Sequence, residues 1–292
     1  MKNSLVLQDV TVTIDNHFKL HNISLTLETG SVMCLTGQTG AGKTALIKTI
    51  MNCIKRDSGQ ILYDGLTFYE NEIEVKKKVG CIFDVMPFAL TPKPKDIVKT
   101  ISKFYDSYNF DLYNRYMHKF SLDPNIALSK YNDASLKKFY CIVILACNPD
   151  LLLLDEPIDF SDSKDAQDIL ELLTDFMEDS SKSILLATHS PSYYESIADH
   201  ILLLHNGKLE CSIAIEDLLK SYVLVSLPTK VMFDEFQSKL RFISDTSNDY
   251  QGLLRRSDLP DNLEFTHQAL NRTELMQYIE QTMKGGNVYD EF

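Results

Sequence analysis

No stretch of this sequence reaches the about 18 consecutive apolar residues that a membrane-crossing helix needs. That excludes a helical membrane subunit and leaves a chain of ordinary globular composition, 44% hydrophobic and 24% charged. Runs of basic residues are also lacking. Lys76-Lys77-Lys78 is the densest cluster and reads as a solvated face, and 29 basic against 41 acidic residues leave a net charge of −12. Such a surface repels nucleic acid and anionic lipid, so no nucleic-acid partner is expected. The six cysteines (Cys34, Cys53, Cys81, Cys141, Cys147, Cys211) form no C-x-x-C pair. Most lie inside apolar runs, where a thiol acts as a small hydrophobe suited to a reducing compartment. Internal repeats and heptads are missing too. The start, Met1 to Leu5, leads into a strand-like pattern rather than the apolar core of a signal peptide.

What is present is more telling. Gly37-Gln38-Thr39-Gly40-Ala41-Gly42-Lys43-Thr44 matches the phosphate-binding pattern G-x-x-x-x-G-K-[ST] in full. The glycines let the backbone curl until several N–H groups aim at the same phosphate oxygens. Lys43 reaches the β- and γ-phosphates, and the Thr44 hydroxyl is placed to ligate Mg²⁺. The apolar run Val32-Met33-Cys34-Leu35 predicts a buried strand entering the loop. Helical spacing from Gly42 to about Cys53 points a helix N-terminus at the phosphates.

Further strands are predicted at 4–14, 23–28, 60–63, 79–83, 151–154, 183–187 and 201–204, with a turn at His205-Asn206-Gly207-Lys208. Residues 87–145 lose strand character and read as a helical insertion rich in aromatics, and 164–179 as a helix. Beyond Ser221 the pattern weakens until a helical stretch at Arg272–Met283, so 222–292 reads as a small separate domain without legible internal structure. At 292 residues the chain has room for one large domain and a smaller one.

Two strand ends carry further chemistry. Leu151-Leu152-Leu153-Leu154-Asp155-Glu156 is a buried strand ending in two acids. Asp155 is placed to hold Mg²⁺ through water, and Glu156 to act as general base toward an attacking water. His189, after Leu185-Leu186-Ala187-Thr188, is a candidate contact for the γ-phosphate and that water.

Order and spacing of these elements across residues 4–220 resemble the ATPase subunit of an ATP-binding cassette (ABC) transporter. Gly37–Thr44 matches the family's Walker A, Leu151–Asp155 its Walker B and Glu156 its catalytic glutamate. Asp162 falls on the D-loop aspartate and His189 on the switch histidine. The resemblance implies an α/β fold: a RecA-like P-loop NTPase core at 1–86 and 146–220, with an antiparallel β subdomain. A helical subdomain follows at 87–145 and a small C-terminal extension at 221–292. It also implies an ATPase with ATP and Mg²⁺ as ligands, partnered by an integral membrane transporter subunit and a second ABC ATPase. Its place would be the cytoplasmic face of the cell membrane. The closing stretch 272–286 is similar to the C-terminal extension of the drug- and peptide-exporter branch.

The chain departs from the family at four points. The signature Leu-Ser-Gly-Gly-Gln is replaced by Tyr131-Asn132-Asp133-Ala134-Ser135, which puts an acid near the γ-phosphate of an opposed subunit. The Q-loop glutamine is Asp84, a shorter acceptor still able to approach Mg²⁺. Ile14 stands where an aromatic stacks on adenine, with His17 and Phe18 nearby. The D-loop reads Asp159-Phe160-Ser161-Asp162 and keeps only its final acid. Subunits of this family pair head to tail, so intact Walker motifs beside an altered signature favour a heterodimer over a homodimer. The alternatives are a subunit that binds ATP with little turnover, and a soluble ABC ATPase unconnected with transport.

Overall fold

The computed structural model describes residues 2–15, 17–84, 89–157, 163–246, 249–260 and 265–284. Its chain clusters into two compact units. The first is Met1–Met33 with Thr44–Ala187, and the second is Cys34–Lys43 with Thr188–Phe292.

The chain opens with β1 (Asn3–Thr13), β2 (Lys19–Glu28) and β3 (Val32–Thr36), then α1 (Lys43–Ile50). β4 (Ser58–Tyr63) and β5 (Leu66–Thr67) follow, then α2 (Glu72–Lys78) and β6 (Val79–Ile82). In the first unit β1 and β2 pair antiparallel, and with β4 and β5 they form a four-stranded sheet in the order β2-β1-β4-β5. β2 alternates buried and exposed residues from Ile23 to Glu28, as a sheet with one covered face requires, while register shifts between Leu7 and Val12 interrupt the alternation of β1. The lysine cluster closes α2, where Lys76 and Lys78 pair with Glu72 and Glu74 at 2.5 and 3.2 Å, one turn back.

The helical insertion contains α3 (Pro94–Ile101), α4 (Phe110–Lys119) and α5 (Asp133–Ala146), and its predicted start at Pro87 lies outside the described residues. Next come β7 (Leu151–Asp155), α6 (Ser163–Met177) and β8 (Ser183–Ala187). β6, β7 and β8 run parallel, Val79 opposite Leu151 and Leu151 opposite Ser183. Every residue of all three is buried, which explains continuous apolar runs in place of alternation. β8 is also tied to the entrance of β3, because the Ile184 N–H donates to the Ser31 carbonyl at 3.1 Å.

α5 lies along β6 with its contacts one helical turn apart. An added Cβ on Gly80 would stand 2.8 Å from Ile144 Cγ2 and 2.9 Å from Pro149 Cγ, so only glycine admits the helix this closely. The Tyr140 hydroxyl donates to the Cys81 carbonyl at 3.0 Å. On another side of α5 the buried Lys138 ammonium pairs with Asp165 at 2.5 Å and with Asp168, both on α6. Its attraction to two carboxylates outweighs the cost of burial and raises its pKa above the usual lysine value.

The second unit continues with β9 (His200–His205), β10 (Lys208–Ala214) and α7 (Ile215–Ser221), then β11 (Tyr222–Leu227) and α8 (Lys230–Phe236). It closes with β12 (Arg241–Thr246), β13 (Asp249–Arg255), β14 (Thr266–Gln268) and α9 (Arg272–Lys284). β9 and β10 form a hairpin through the turn at Asn206 and Gly207, both at positive φ. Where the sequence pattern weakens, β12-β13-β11-β14 is an antiparallel sheet with its own core. Val223, Val225, Leu227, Phe233, Phe236 and Leu254 meet there. Ser244, Asp245, Thr246 and Asp249 belong to the far end of the β12–β13 pair, Ser244 opposite Gln251 and Thr246 opposite Asp249, so this end carries no apolar pattern. The Tyr278 hydroxyl, donating to the Phe242 carbonyl at 2.8 Å, holds α9 against β12.

Candidate functional site

Each unit carries part of the predicted site. In the second, the chain leaves β3 and turns through Gly37–Gly42. A Cβ on Gly37 would lie 2.2 Å from the Leu204 carbonyl oxygen, so the loop seats against the end of β9 only with glycine there. Gly40 and Gly42 sit at φ +85° and +107°, where a side chain would be strained. The Ala41 N–H donates to Gln38, and the Ala41 carbonyl accepts from Gly207, each at 3.1 Å, so the turn after β9 braces the loop. Thr39 is exposed and Gln38 half-buried. The buried Lys43 ammonium donates to the Gly37 and Gln38 carbonyls at 2.8 and 3.3 Å. His189 is exposed between two buried residues, Thr188 and Ser190.

In the first unit, the Thr44 hydroxyl donates to Asp155 Oδ1 at 3.0 Å. Asp155 is buried at the end of β7, and that burial pushes its carboxyl above the ordinary value of 3.8. The Thr44 hydrogen bond works the other way, while the charges of Glu156 and Asp84 add to the upward push. An alcohol and a carboxylate at this separation are hard oxygen donors, a set that fits Mg²⁺. Glu156 follows at φ +47°, a left-handed conformation that costs a non-glycine residue about 1 kcal/mol. Its N–H donates to the Ala187 carbonyl at 2.9 Å, the last rung of the β7–β8 ladder, and the left-handed φ then takes the chain off the strand. Backbone strain of this kind concentrates at functional positions, and no sequence pattern announces it.

Asp84 is exposed and paired with Lys137 of α5 at 3.2 Å. Lys137 was not among the sequence candidates, because only laying α5 along β6 brings the two together. The signature-position segment starts α5: Asn132 is the N-cap, its side chain accepting from the Ser135 N–H at 2.8 Å, and Asp133 stands in the first turn. At the turn after β1, the Ile14 N–H donates to the Phe18 carbonyl at 3.0 Å. Asp15 Oδ1 accepts from the backbone N–H groups of His17 and Phe18 at 2.7 and 2.9 Å, and Ile14 and Phe18 are half-buried. Asp162 and the rest of the D-loop lie outside the described residues.

An α/β chain in which a glycine loop and lysine follow a buried strand, with an acid-ended parallel strand bonded to the next threonine, is a P-loop nucleotide-binding protein. Residues 20–159 match the family model described as ABC transporter, so the chain carries an ABC transporter ATP-binding domain and is similar to ABC ATPases. It is 29% identical over 224 residues to the ABC transporter ATP-binding protein YtrB of Bacillus subtilis (strain 168), covering 76% of this chain and 75% of that one. It is 23% identical over 261 residues to the energy-coupling factor transporter ATP-binding protein EcfA2 of Staphylococcus aureus (strain USA300), covering 82% and 91%. Among solved structures, an ATP binding subunit of an ABC transporter superposes with a TM-score of 0.66 at 20% identity, covering 74% of this chain and 92% of that one. Among the described residues, no helix is long and apolar enough to cross a membrane.

Proposed function

We propose that this ATPase works at the cytoplasmic face of the cell membrane, driving a separate integral membrane subunit that exports a peptide, toxin or drug. The observation that carries the catalytic part is the Thr44–Asp155 contact with Glu156 turned off the same strand end. Lys43 exchanges its bonds to Gly37 and Gln38 for phosphate oxygens and offsets charge on the transferring group. Gln38, Thr39, Gly40, Ala41 and Gly42 present backbone N–H groups to the same phosphates. Thr44 and Asp155 hold Mg²⁺, with Asp84 near enough in charge to bear on Asp155. When bound, Mg²⁺ supplies Lewis-acid stabilisation of the phosphoryl oxygens. Glu156 takes a proton from the attacking water and His189 orients that water against the γ-phosphate.

In this reading residues 1–86 and 146–220 are the ATPase core, 87–145 docks with the loop at Asp84 on the membrane subunit, and 221–292 is an extension. The export direction rests on the resemblance of the closing stretch to the exporter branch. Pairing with a different ATPase is favoured by Tyr131–Ser135, whose Asn132 already caps its own helix and whose Asp133 opposes an anion. Purified alone, the chain then binds Mg-ATP with low turnover, and turnover rises with the partner ATPase that co-purifies from its native membrane. Brisk hydrolysis by the isolated chain would sink the heterodimer reading. A native complex without a membrane subunit would sink the transport reading.

A further inference from the structure

His189 opens a segment that runs to the start of β9 at His200. Upstream the backbone is anchored: the Thr188 N–H donates to the Leu35 carbonyl, and the Ser190 N–H to Thr188 Oγ1, each at 3.0 Å. Pro191–Tyr194 then makes one 3₁₀ turn with Tyr194 fully buried.

The outer face of this segment is held from far along the chain, by α9. Arg272 Nε donates to the Glu195 carbonyl at 2.5 Å, and its terminal nitrogen donates to the Ala198 carbonyl. The Thr273 hydroxyl donates to the Glu195 carboxylate at 3.3 Å. The Ser192 hydroxyl donates to the buried carboxylate of Glu280. Arg272 and Glu280 stand about two turns apart on one side of α9. They grip the segment at its front, three residues past His189, and at its back. A guanidinium that forks to two carbonyls fixes direction as well as distance.

The apolar side of α9, with Leu275, Met276 and Ile279, is already buried, and the β11–β14 sheet has its own core. The polar contacts fall on Ser192, Glu195 and Ala198, within the segment that follows His189.

We propose that α9 is a positioning element of the catalytic centre, with Arg272 and Glu280 setting the place of His189 through segment 190–199. This rests on the reading of His189 as the residue that orients the attacking water.

The test uses the full chain with isotope-labelled histidine. The His189 ring signal is identified by its loss in His189→Gln. Arg272→Met should shift or broaden that signal, Arg272→Lys should restore it in part by keeping one donor, and Glu280→Gln should disturb it less. Mg-ATP affinity should stay within about twofold, because Lys43 and Thr44 are untouched. In the complex with its co-purifying ATPase, Arg272→Met should lower kcat about tenfold or more with KM little changed. It should cost nothing further in the His189→Gln background. An unmoved His189 signal in folded Arg272→Met and Glu280→Gln variants would overturn the positioning role, as would a loss additive with His189→Gln. If Arg272→Met fails to fold, the near-isosteric Glu280→Gln decides the same question alone. If His189→Gln leaves turnover intact while its signal follows Arg272, the reading of His189 falls and the proposal with it.

Discussion

Two helices of this chain begin where their family meets phosphate, and they begin in opposite ways. α1 starts after a glycine loop, has no acid in its first turn and begins with Lys43. α5 starts after an asparagine whose side chain already accepts from the Ser135 N–H, and Asp133 adds a negative charge to its first turn. A helix N-terminus attracts anions only when its N–H groups are left to the ligand and the local charge permits. The contrast teaches that one element type can be built as an anion site or closed against one by a change in a few residues. The Asn132 cap also stabilises the start of its own helix.

The largest break in this contrast should come from the first half of the site. Glu156→Gln should lower turnover in the assembled complex by about a thousandfold and leave Mg-ATP binding intact, because the amide keeps the shape and loses the base. An unchanged rate would end the catalytic assignment. Next, Lys43→Ala should weaken Mg-ATP binding by roughly a hundredfold, the worth of two charge-assisted bonds, read by titration with a fluorescent nucleotide. A small effect would mean that the glycine loop binds without its cation.

The second helix is then turned toward the first. Asn132→Ser, Asp133→Gly and Ala134→Gly together remove the charge, exchange the amide cap for a hydroxyl and restore glycine freedom at the helix start. Like charges at about 4 Å cost on the order of 1 kcal/mol even in water, so ATP retained in the assembled complex should rise about fivefold. No gain would show that Tyr131–Ser135 does not face nucleotide. Asn132→Ala alone should cost about 1 kcal/mol of stability in urea unfolding, by leaving the Ser135 N–H without its acceptor.

The smallest effect concerns Asp155. Burial raises its carboxyl, so the folded chain holds that proton more tightly than the unfolded one. Its contribution is therefore full below the ordinary aspartate value and is lost as pH rises through the raised one. Melting temperatures of the nucleotide-free chain and of Asp155→Asn, compared across the acid range, should diverge in favour of Asn as pH rises. A constant difference would contradict the raised carboxyl.

Legibility follows the same physics. Gly37–Thr44 and Leu151–Glu156 declare themselves because phosphate and Mg²⁺ demand particular residue types at particular spacings. β3, β7 and β8 are plain because full burial forces unbroken apolar runs. The β11–β14 sheet is not, since β14 is exposed throughout and the β12–β13 end is polar. The left-handed Glu156, the Asp84–Lys137 pair and the Arg272 fork depend on chain reversals and long-range approach, which local pattern does not encode.

The lie of α5 on β6 has a rotational consequence. Lys137, Tyr140 and Ile144 mesh with Asp84, Cys81 and Gly80, like teeth that fix the angle of a shaft as well as its position. One residue inserted into α5 between Asp133 and Lys137 would turn the helix start by about 100° against the sheet while leaving every tooth engaged. The start of α5 is thus indexed to β6, the strand that leads toward Asp84. A force that rotates one must rotate the other.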